Sequence, residues 1–351
     1  MPQTPITPQR AEQIRHLLAE LRVQPLDPGY TPAAAAASGQ RYFMTPVVDR
    51  RQRSVWLKAT LHDTPWLRRS LREEIRVQRA FAAYEAKYHP RFDSPSYIAS
   101  GDNRRGFIWL VRKYWTGIFA GDMTDRFGMS FVFLRRVSPV TMAAIYHDVR
   151  AMTSFVKRRI DPGVHDYRWY ALDLAYYQKT FFRPLLRSPL DAGWNKDTVD
   201  RLEATLAQYR SFFGQHGTTF THGDMYPNNI MFRPGARHPV VLFDWELSHL
   251  NLPTFDPVMV YLQAWRSPRW QAAFKQQTLR LLGQPRVMTT AWNLAQVSLA
   301  TRLAAFCFIR LTNSQPERYP PIRPAERRVI LPLFRKNMGH LEAALRQLRP
   351  T

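Results

Sequence analysis

The chain is poor in cysteine, since its 351 residues include only Cys307. A single cysteine excludes an intramolecular disulfide framework and a zinc site built from several thiolates. The composition agrees with a reducing compartment, and we expect a cytoplasmic protein. Hydrophobic residues make up 45% of the chain and aromatic residues 13%. That share is enough to bury a substantial core, so the composition predicts a folded protein rather than a disordered one.

Long apolar runs are also lacking. A membrane-spanning helix needs about 20 predominantly apolar residues. The best candidate, near residues 299–311, is interrupted by Arg302 and Arg310. The first 26 residues are polar and punctuated by proline, without the apolar centre of a signal peptide. We therefore expect a chain without a membrane span.

Acidic residues are scarce relative to basic ones. The chain has 27 Asp and Glu against 50 Lys and Arg, which gives a formal net charge of +23. From residue 257 onward, 15 basic residues stand against only three acids, Glu317, Glu326 and Glu342. Such a field favours polyanions, among them nucleotides, nucleic acids and anionic lipid surfaces. A generic solubilising surface explains the same excess, so peripheral contact with an anionic surface stays open and nucleic acid is not the expected partner.

Two stretches with different patterns follow one another along the chain. The first contains an amphipathic helix at residues 8–25, then strand patterns at 41–48 and 54–61, a helix at 64–88 and strands at 96–99 and 107–114. Beyond residue 117 helical patterns prevail, interrupted by a strand-rich segment at 220–247. The sequence therefore predicts an α+β protein in three parts: a helical extension (1–30), a sheet-rich lobe (31–116) and a larger helical lobe (117–351).

The segment that carries chemistry is THGDMYPNNIMF at residues 221–232, followed by VVLFDWE at 240–246. Phosphoryl transfer needs a carboxylate that orients the attacking hydroxyl, oxygen ligands for Mg²⁺, and positive charge on the phosphates. Asp224 can supply the carboxylate, and Asn229 and Asp244 can supply the oxygens that magnesium prefers. The apolar residues 230–232 and 240–243 are typical of two hairpin strands. Their pairing would bring Asn229 and Asp244 to the same end of the hairpin.

These residues resemble the aminoglycoside phosphotransferase and choline kinase group of kinase-like enzymes. The likeness lies in His-Gly-Asp, four intervening residues, Asn, and then an apolar strand that ends in Asp-Trp-Glu. The resemblance implies a two-lobed protein-kinase-like fold and the use of ATP and Mg²⁺. It makes Asp224 the catalytic base, Asn229 and Asp244 the magnesium ligands, and His222 a residue that shapes the loop. Asp256 is similar to the downstream aspartate that braces this loop in the family.

The same resemblance extends to the nucleotide side. Lys58, central in the apolar strand 55–59, is similar to the lysine that contacts ATP phosphates, and the resemblance pairs it with Glu74 in preference to Glu73. Backbone groups of Lys113, Tyr114 and Trp115 would meet the adenine edge. One departure is the stretch 32–41, where the family's phosphate-covering hairpin carries glycines. Here that stretch holds five alanines with Ser38 and Gly39, so it is either that loop or an alanine-rich linker.

The acceptor is expected to be a small molecule that carries a hydroxyl. Only 11 residues separate Asp244 from Asp256, and no Ala-Pro-Glu follows, which leaves little room for a peptide-docking segment. The basic last 95 residues favour a neutral or anionic sugar-type acceptor over a polycationic aminoglycoside. The alternatives are an aminoglycoside kinase and a choline or ethanolamine kinase; Trp194 or Trp245 could cage a quaternary ammonium. Alternatives of another class are a catalytically silent kinase-like scaffold and a polyanion-binding protein.

Overall fold

A computed structural model describes residues 6–37, 40–49, 53–94, 96–102, 107–122, 127–159, 196–313 and 321–348. The chain divides into two compact units. The first comprises Met1–His89, Asp93–Gly117 and Phe243–Leu247, and the second comprises Pro90–Phe92, Ile118–Leu242 and Ser248–Thr351. The short segment Phe243–Leu247 thus belongs to the sheet-rich unit, although the chain on both sides of it belongs to the other.

The first unit is built on a five-stranded antiparallel sheet. Its strands are β1 (Val23–Pro25), β2 (Tyr42–Asp49), β3 (Ser54–Thr60), β4 (Tyr97–Asp102) and β5 (Ile108–Lys113), in the order β1-β2-β3-β5-β4. Helix α1 (Pro8–Leu21) contributes to the core on one face of the sheet, and α3 (Pro65–Tyr88) packs on the other. Successive strand residues alternate between faces. Because Leu57 and Ala59 lie in the α1 core, Lys58 between them points toward α3.

The N-terminal 30 residues differ from the expected helical extension. Helix α1 ends at Leu21, because Arg22 takes the left-handed conformation (φ 56°) and its N–H donates to the carbonyls of Leu18 and Ala19. The chain then enters β1, which pairs with β2 and so joins the sheet. A three-residue strand after a longer amphipathic helix leaves no periodicity of its own, which is why the sequence pattern extended the helix to residue 25.

The alanine-rich run forms a short helix, α2 (Pro32–Ala37), with Ala35 and Ala36 buried. It lies in the connection from β1 to β2, where the sequence suggested a phosphate-covering loop. Ser38 and Gly39, which belong to the same stretch, lie outside the described residues. Because alanine is the strongest helix former, the run forms a helix instead of the strands of a phosphate-covering hairpin.

The second unit is mostly helical. Its helices are α4 (Phe131–Arg136), α5 (Pro139–Lys157), α6 (Lys196–Gln208), α7 (Arg210–His216), α8 (Phe255–Gln263), α9 (Pro268–Leu282), α10 (Pro285–Thr312) and α11 (Pro324–Gln347). Its short strands are β6 (Ile118–Phe119), β7 (Gly121–Asp122), β8 (Gly128–Met129), β9 (Thr219–Thr221), β10 (Ile230–Phe232), β11 (Val240–Leu242) and β12 (His249–Asn251). Strand β10 pairs with both β11 and β6, and β9 pairs with β12. The expected hairpin after Asn229 therefore forms, with Ile230 opposite Leu242.

Helix α10 is the core helix of this unit. Among the described helices it is the one long and apolar enough, by length and composition, to cross a membrane. However, 83% of its apolar window is buried inside the protein. Its buried Arg310 donates to Glu326 of α11 at 3.1 Å. These features identify α10 as a helix packed on all sides by its own unit.

Candidate active site

Lys58 is the centre of a buried charge cluster in the first unit. Its side chain is 1% exposed, and its Nζ lies 2.8 Å from Glu74 Oε2, 2.7 Å from Asp244 Oδ1 and 2.7 Å from Glu246 Oε2. The ring of Tyr42 lies 4.4 Å from the same nitrogen. Strand β3, helix α3 and the turn at Trp245–Leu247 thus each contribute a charged group to one cluster.

Glu74 is fixed on its other side by a second cation. Its Oε1 accepts from Arg112 Nη1 at 2.6 Å and from Gln78 Nε2 at 3.1 Å. Glu73 is also buried, and it forms an ion pair with Arg76 at 3.9 Å. Of the two glutamates considered from the sequence, the structure places Glu74 beside Lys58.

The electrostatics of the cluster follow from burial and charge. Burial acts to lower the pKa of Lys58, but Asp244, Glu246 and Glu74 together raise it well above its ordinary value. The pKa of Glu246 is raised to about 7, first by burial and then by the charge of Asp244, while Lys58 opposes the shift. Oxygens of the three carboxylates lie within 4.8 Å of one another. The cluster therefore holds an excess of acidic groups that a cation would relieve.

Asp244 has an unusual backbone. Its φ is 62°, a conformation that non-glycine residues adopt infrequently and that often accompanies functional sites. The turn from Trp245 to Leu247 follows directly, so Asp244 and Glu246, two residues apart, both reach Lys58. Trp245 between them is 1% exposed. Trp245 is therefore too buried to form a wall of a choline cage. Trp194, the other candidate, lies outside the described residues.

The residues expected at the adenine edge follow strand β5. The N–H of Lys113 donates to the carbonyl of Ser96 at 2.9 Å, so that group is already used within the sheet. The Lys113 ammonium lies 4.1 Å from the Trp115 ring centroid, and Tyr114 stacks on Trp56 with centroids 6.0 Å apart. The aromatic contacts give this connection a defined shape at the C-terminal end of β5.

In the second unit, Asp256 organises the loop that follows β9. Its two carboxylate oxygens accept from the backbone N–H groups of His222 (2.8 Å) and Gly223 (2.9 Å). Gly223 has φ 82°, which glycine adopts without strain. Burial raises the pKa of Asp256 to about 6, and the two backbone hydrogen bonds oppose that shift. These two hydrogen bonds are the bracing of the loop by Asp256 that was expected from the sequence.

The loop then presents Asp224 with Asn229 against it. Asn229 Nδ2 donates to Asp224 Oδ2 at 2.7 Å and to the Asp224 carbonyl at 2.9 Å. The N–H of Asp224 donates to Nδ1 of His222 at 3.3 Å, and His222 is fully buried. His222 thus supports the loop through a buried hydrogen bond to the Asp224 backbone. The amide oxygen of Asn229 accepts from Asn228 Nδ2 at 3.4 Å, and its second lone pair can bind a ligand.

A cation on helix α10 acts on the same loop. Burial raises the pKa of Tyr226, while the charges of Arg302 and Asp224 act on it in opposite directions. Arg302 and Phe306 lie one turn apart on α10, and the Phe306 ring contacts Phe127 at 6.0 Å. Arg302 is therefore close enough to influence the loop that carries Asp224, on a helix face that also carries an aromatic ring.

Three residues of the site were missed from the sequence. Glu246 stands two residues after Asp244 in the motif itself, which is the signal that could have found it. Arg112 lies on the same face of β5 as Ile108 and Leu110, which pack toward α3. The two-residue period of a strand would therefore have placed it beside Glu74. Arg302 lies 76 positions beyond Tyr226, and no local pattern connects the two.

Comparison with known proteins gives the family. The sequence profile of the phosphotransferase enzyme family (APH) matches residues 29–288. The chain belongs to this family. It is accordingly a phosphotransferase that acts on a hydroxyl group, a small-molecule kinase with the protein-kinase-like fold. No sequence among the curated proteins matches the chain.

Solved structures agree on the fold. An aminoglycoside phosphotransferase from Alicyclobacillus acidocaldarius is 14% identical, with a TM-score of 0.56, over 99% of this chain and 96% of that one. An aminoglycoside 2′-phosphotransferase-IIIa, solved as a GDP complex, is 11% identical (TM-score 0.53; 96% and 99% covered). The choline kinase LicA from Streptococcus pneumoniae is 12% identical (TM-score 0.54; 95% and 98% covered). At these identities the likeness establishes the fold and leaves the acceptor undetermined.

Proposed function

We propose that this phosphotransferase uses ATP and Mg²⁺ to phosphorylate a hydroxyl group of a small neutral or anionic molecule of the sugar type. The observation that carries the proposal is the loop of the second unit, in which Asp256 holds the backbone before Asp224 and Asn229 holds its carboxylate. Such a loop presents one oriented carboxylate, which is what an attacking hydroxyl needs.

Asp224 is the proposed catalytic base. Its Oδ2 accepts from Asn229, and an ionised carboxylate can accept several hydrogen bonds at once, so the acceptor hydroxyl can bind to the same group. A positioned carboxylate that receives the hydroxyl proton contributes about 10²–10⁴-fold to the rate. His222 has no proposed contact with substrate; it supports the loop through the Asp224 N–H.

Lys58 is the proposed phosphate ligand, with Glu74 and Arg112 holding it in place. Phosphate oxygens of the nucleotide would replace Asp244 and Glu246 as partners of the Lys58 ammonium. The released Asp244 carboxylate and the Asn229 amide oxygen are the proposed magnesium ligands, since both are hard oxygen donors. A bound magnesium ion neutralises and orients the nucleotide phosphates. Backbone groups near Tyr114 and Trp115 are proposed to meet the adenine edge.

The acceptor class is inferred from charge near the loop. The related structures include aminoglycoside phosphotransferases and a choline kinase, so the fold accepts both polycationic and singly cationic acceptors. In this chain the positive charge of Arg302 acts on Tyr226, which lies in the Asp224 loop. Like charges a few ångströms apart cost on the order of a few kcal/mol when partly buried. A neutral or anionic acceptor avoids this cost, and an anionic one gains from it.

The proposal is tested first on the nucleotide. Mg²⁺·ATP should raise the thermal unfolding midpoint, and ATP with a chelator should raise it much less. GTP with Mg²⁺ is the parallel measurement that decides the nucleotide. If neither nucleotide stabilises the protein in the presence of Mg²⁺, the proposed donor chemistry is wrong.

Acceptor selection is tested by ADP release with kanamycin-type aminoglycosides, choline, hexosamines and anionic glycans. We expect turnover with neutral or anionic sugars, and a KM for an anionic acceptor that rises with salt. Arg302→Ala should raise that KM about tenfold, the loss of one charge-assisted contact. Arg328→Ala on the exposed face of α11 is the matched control. Saturable phosphorylation of an aminoglycoside at micromolar concentration would overturn the acceptor class and leave the phosphotransferase assignment intact.

A further inference from the structure

The second unit exposes a cluster of large apolar side chains around helix α4. Phe131 is 58% exposed and Val132 is 52% exposed on α4, and Ile118 and Phe119 of β6 are 50% and 49% exposed. Single exposed apolar residues are ordinary, but a contiguous group marks an interaction surface. This cluster is outside the groups that hold Lys58 and Asp224.

The two parts of the cluster are joined by backbone contacts. The N–H of Ser130 donates to the carbonyl of Ala120 at 2.7 Å. Phe119 and Phe131 are the neighbours of these two bonded residues, so the exposed strand and the exposed helix face meet there. The pairing of Gly121 with Met129 continues the same connection. The exposed residues of β6 and those of α4 therefore come from backbone segments that lie next to each other.

Helix α4 adds positive charge to the same surface. Its sequence, Phe-Val-Phe-Leu-Arg-Arg, buries Phe133 and Leu134 and exposes the other four residues. Arg135 and Arg136 follow Phe131 and Val132 by four positions, so each arginine lies beside an exposed apolar residue on the helix surface. The helix has no acidic residue, and neither does the first turn of α5 after it.

We propose that this surface, named here the α4 face and made of Ile118, Phe119, Phe131, Val132, Arg135 and Arg136, docks on an anionic lipid bilayer. Apolar and aromatic side chains insert at the boundary of head groups and acyl chains, while arginines pair with anionic head groups. The net charge of +23 adds long-range attraction to such a surface. A second copy of this basic chain would instead bring Arg135 and Arg136 against like charges.

The proposal is tested by co-sedimentation of the full chain with lipid vesicles. One set is phosphatidylcholine alone, and the other contains about one third phosphatidylglycerol. We expect binding to the anionic set that weakens between low and moderate salt, and little binding to the neutral set. Phe131→Ser with Val132→Ser, and separately Arg135→Glu with Arg136→Glu, should each lower the partition coefficient about tenfold or more. Thermal unfolding checks that both variants remain folded.

A matched control separates the α4 face from the overall charge. Arg328→Glu with Arg335→Glu changes the net charge by the same amount on the exposed face of α11 and should reduce binding much less than the α4 variant. An equal loss in the two charge variants would contradict the proposal, as would equal binding to both vesicle types or none to either. Sedimentation of the protein alone detects the remaining outcome: a dimer dispersed by Phe131→Ser with Val132→Ser would make the α4 face a contact between copies and overturn membrane docking.

Discussion

The two units hold their key acidic side chains in different ways. In the first, three carboxylates converge on the ammonium of Lys58 at 2.7–2.8 Å. In the second, Asp256 is held by two backbone N–H groups, and Asp224 is held by the amide of Asn229 five residues away. The first arrangement depends on charge balance between distant segments, whereas the second depends on local backbone geometry.

The difference relates to what each region is proposed to do. A phosphate group and a magnesium ion bring their own charges, so a cluster of ion pairs can exchange partners when they bind. A base that receives one proton gains nothing from such exchange and is better held in one orientation. Substitutions should accordingly affect ligand binding and stability in the first unit, and turnover in the second.

The largest expected effect is on turnover. Asp224→Asn keeps an acceptor for Asn229 but removes the proton-accepting charge, so kcat should fall about 10²–10⁴-fold. The measurement is ADP release with the identified acceptor. Asp200→Asn, the same change at an exposed aspartate of α6, is the matched control and should retain most of the activity. Retention of most activity by Asp224→Asn would remove Asp224 from the role of base.

The next effect concerns the ion-pair cluster. Lys58→Met leaves three clustered carboxylates without their common partner, and breaking a buried ion pair in this way costs about 3–5 kcal/mol of unfolding free energy. Urea unfolding measures the loss. The double variant Lys58→Met with Glu246→Gln should recover part of it, because one of the repelling charges is gone. A loss below about 1 kcal/mol would show that the cluster is not a coupled network.

A smaller effect is expected at Asp256. Asp256→Ala leaves the buried N–H groups of His222 and Gly223 without their acceptor, at a cost of about 1–3 kcal/mol. The loop that carries Asp224 should also shift when this acceptor is lost, and the shift should lower kcat without changing the affinity for the nucleotide. Asp256→Asn retains one acceptor oxygen, so its stability and its kcat should lie between those of the parent protein and those of Asp256→Ala. If Asp256→Ala unfolds like the parent protein, the loop is braced by other contacts.

The smallest effect is a pH dependence in the helical unit. The pKa of His340 is lowered to about 4, first by burial and then by the charges of Lys336 and Lys275; Gln271 and Tyr261 are its other neighbours. The unfolded chain takes up this proton first as the pH falls below about 6.5. About 1–3 kcal/mol of stability, present above that pH, should be lost by pH 4.

His340→Gln is the test of this dependence. Glutamine does not titrate, so the slope of unfolding free energy between pH 6.5 and pH 4 should decrease. His147→Gln, the same change at a half-exposed histidine of α5, is the matched control. An unchanged slope in His340→Gln would mean that other groups carry the acid sensitivity.

The parts of the fold that could be predicted from the sequence are those with a local sequence pattern. The strands 42–49 and 54–60, the helix 65–88 and the β10–β11 hairpin follow from periodicity, and Asp224, Asn229 and Asp244 follow from one motif. What sequence reasoning missed depends on tertiary contacts. The approach of Glu246 to Lys58 requires the turn after Asp244, and the influence of Arg302 on Tyr226 requires the packing of α10. The roles of these residues toward nucleotide and acceptor stay predictions until they are measured.

The most direct test of the account separates nucleotide binding from transfer. Calorimetric titration with Mg²⁺·ATP, combined with the rate of ADP release, should be made on the parent protein, Asp224→Asn and Asp244→Ala. The account predicts that Asp224→Asn binds Mg²⁺·ATP as the parent does but does not transfer, whereas Asp244→Ala loses both affinity and turnover. Parent-like binding by Asp244→Ala, or loss of binding in Asp224→Asn, would contradict it.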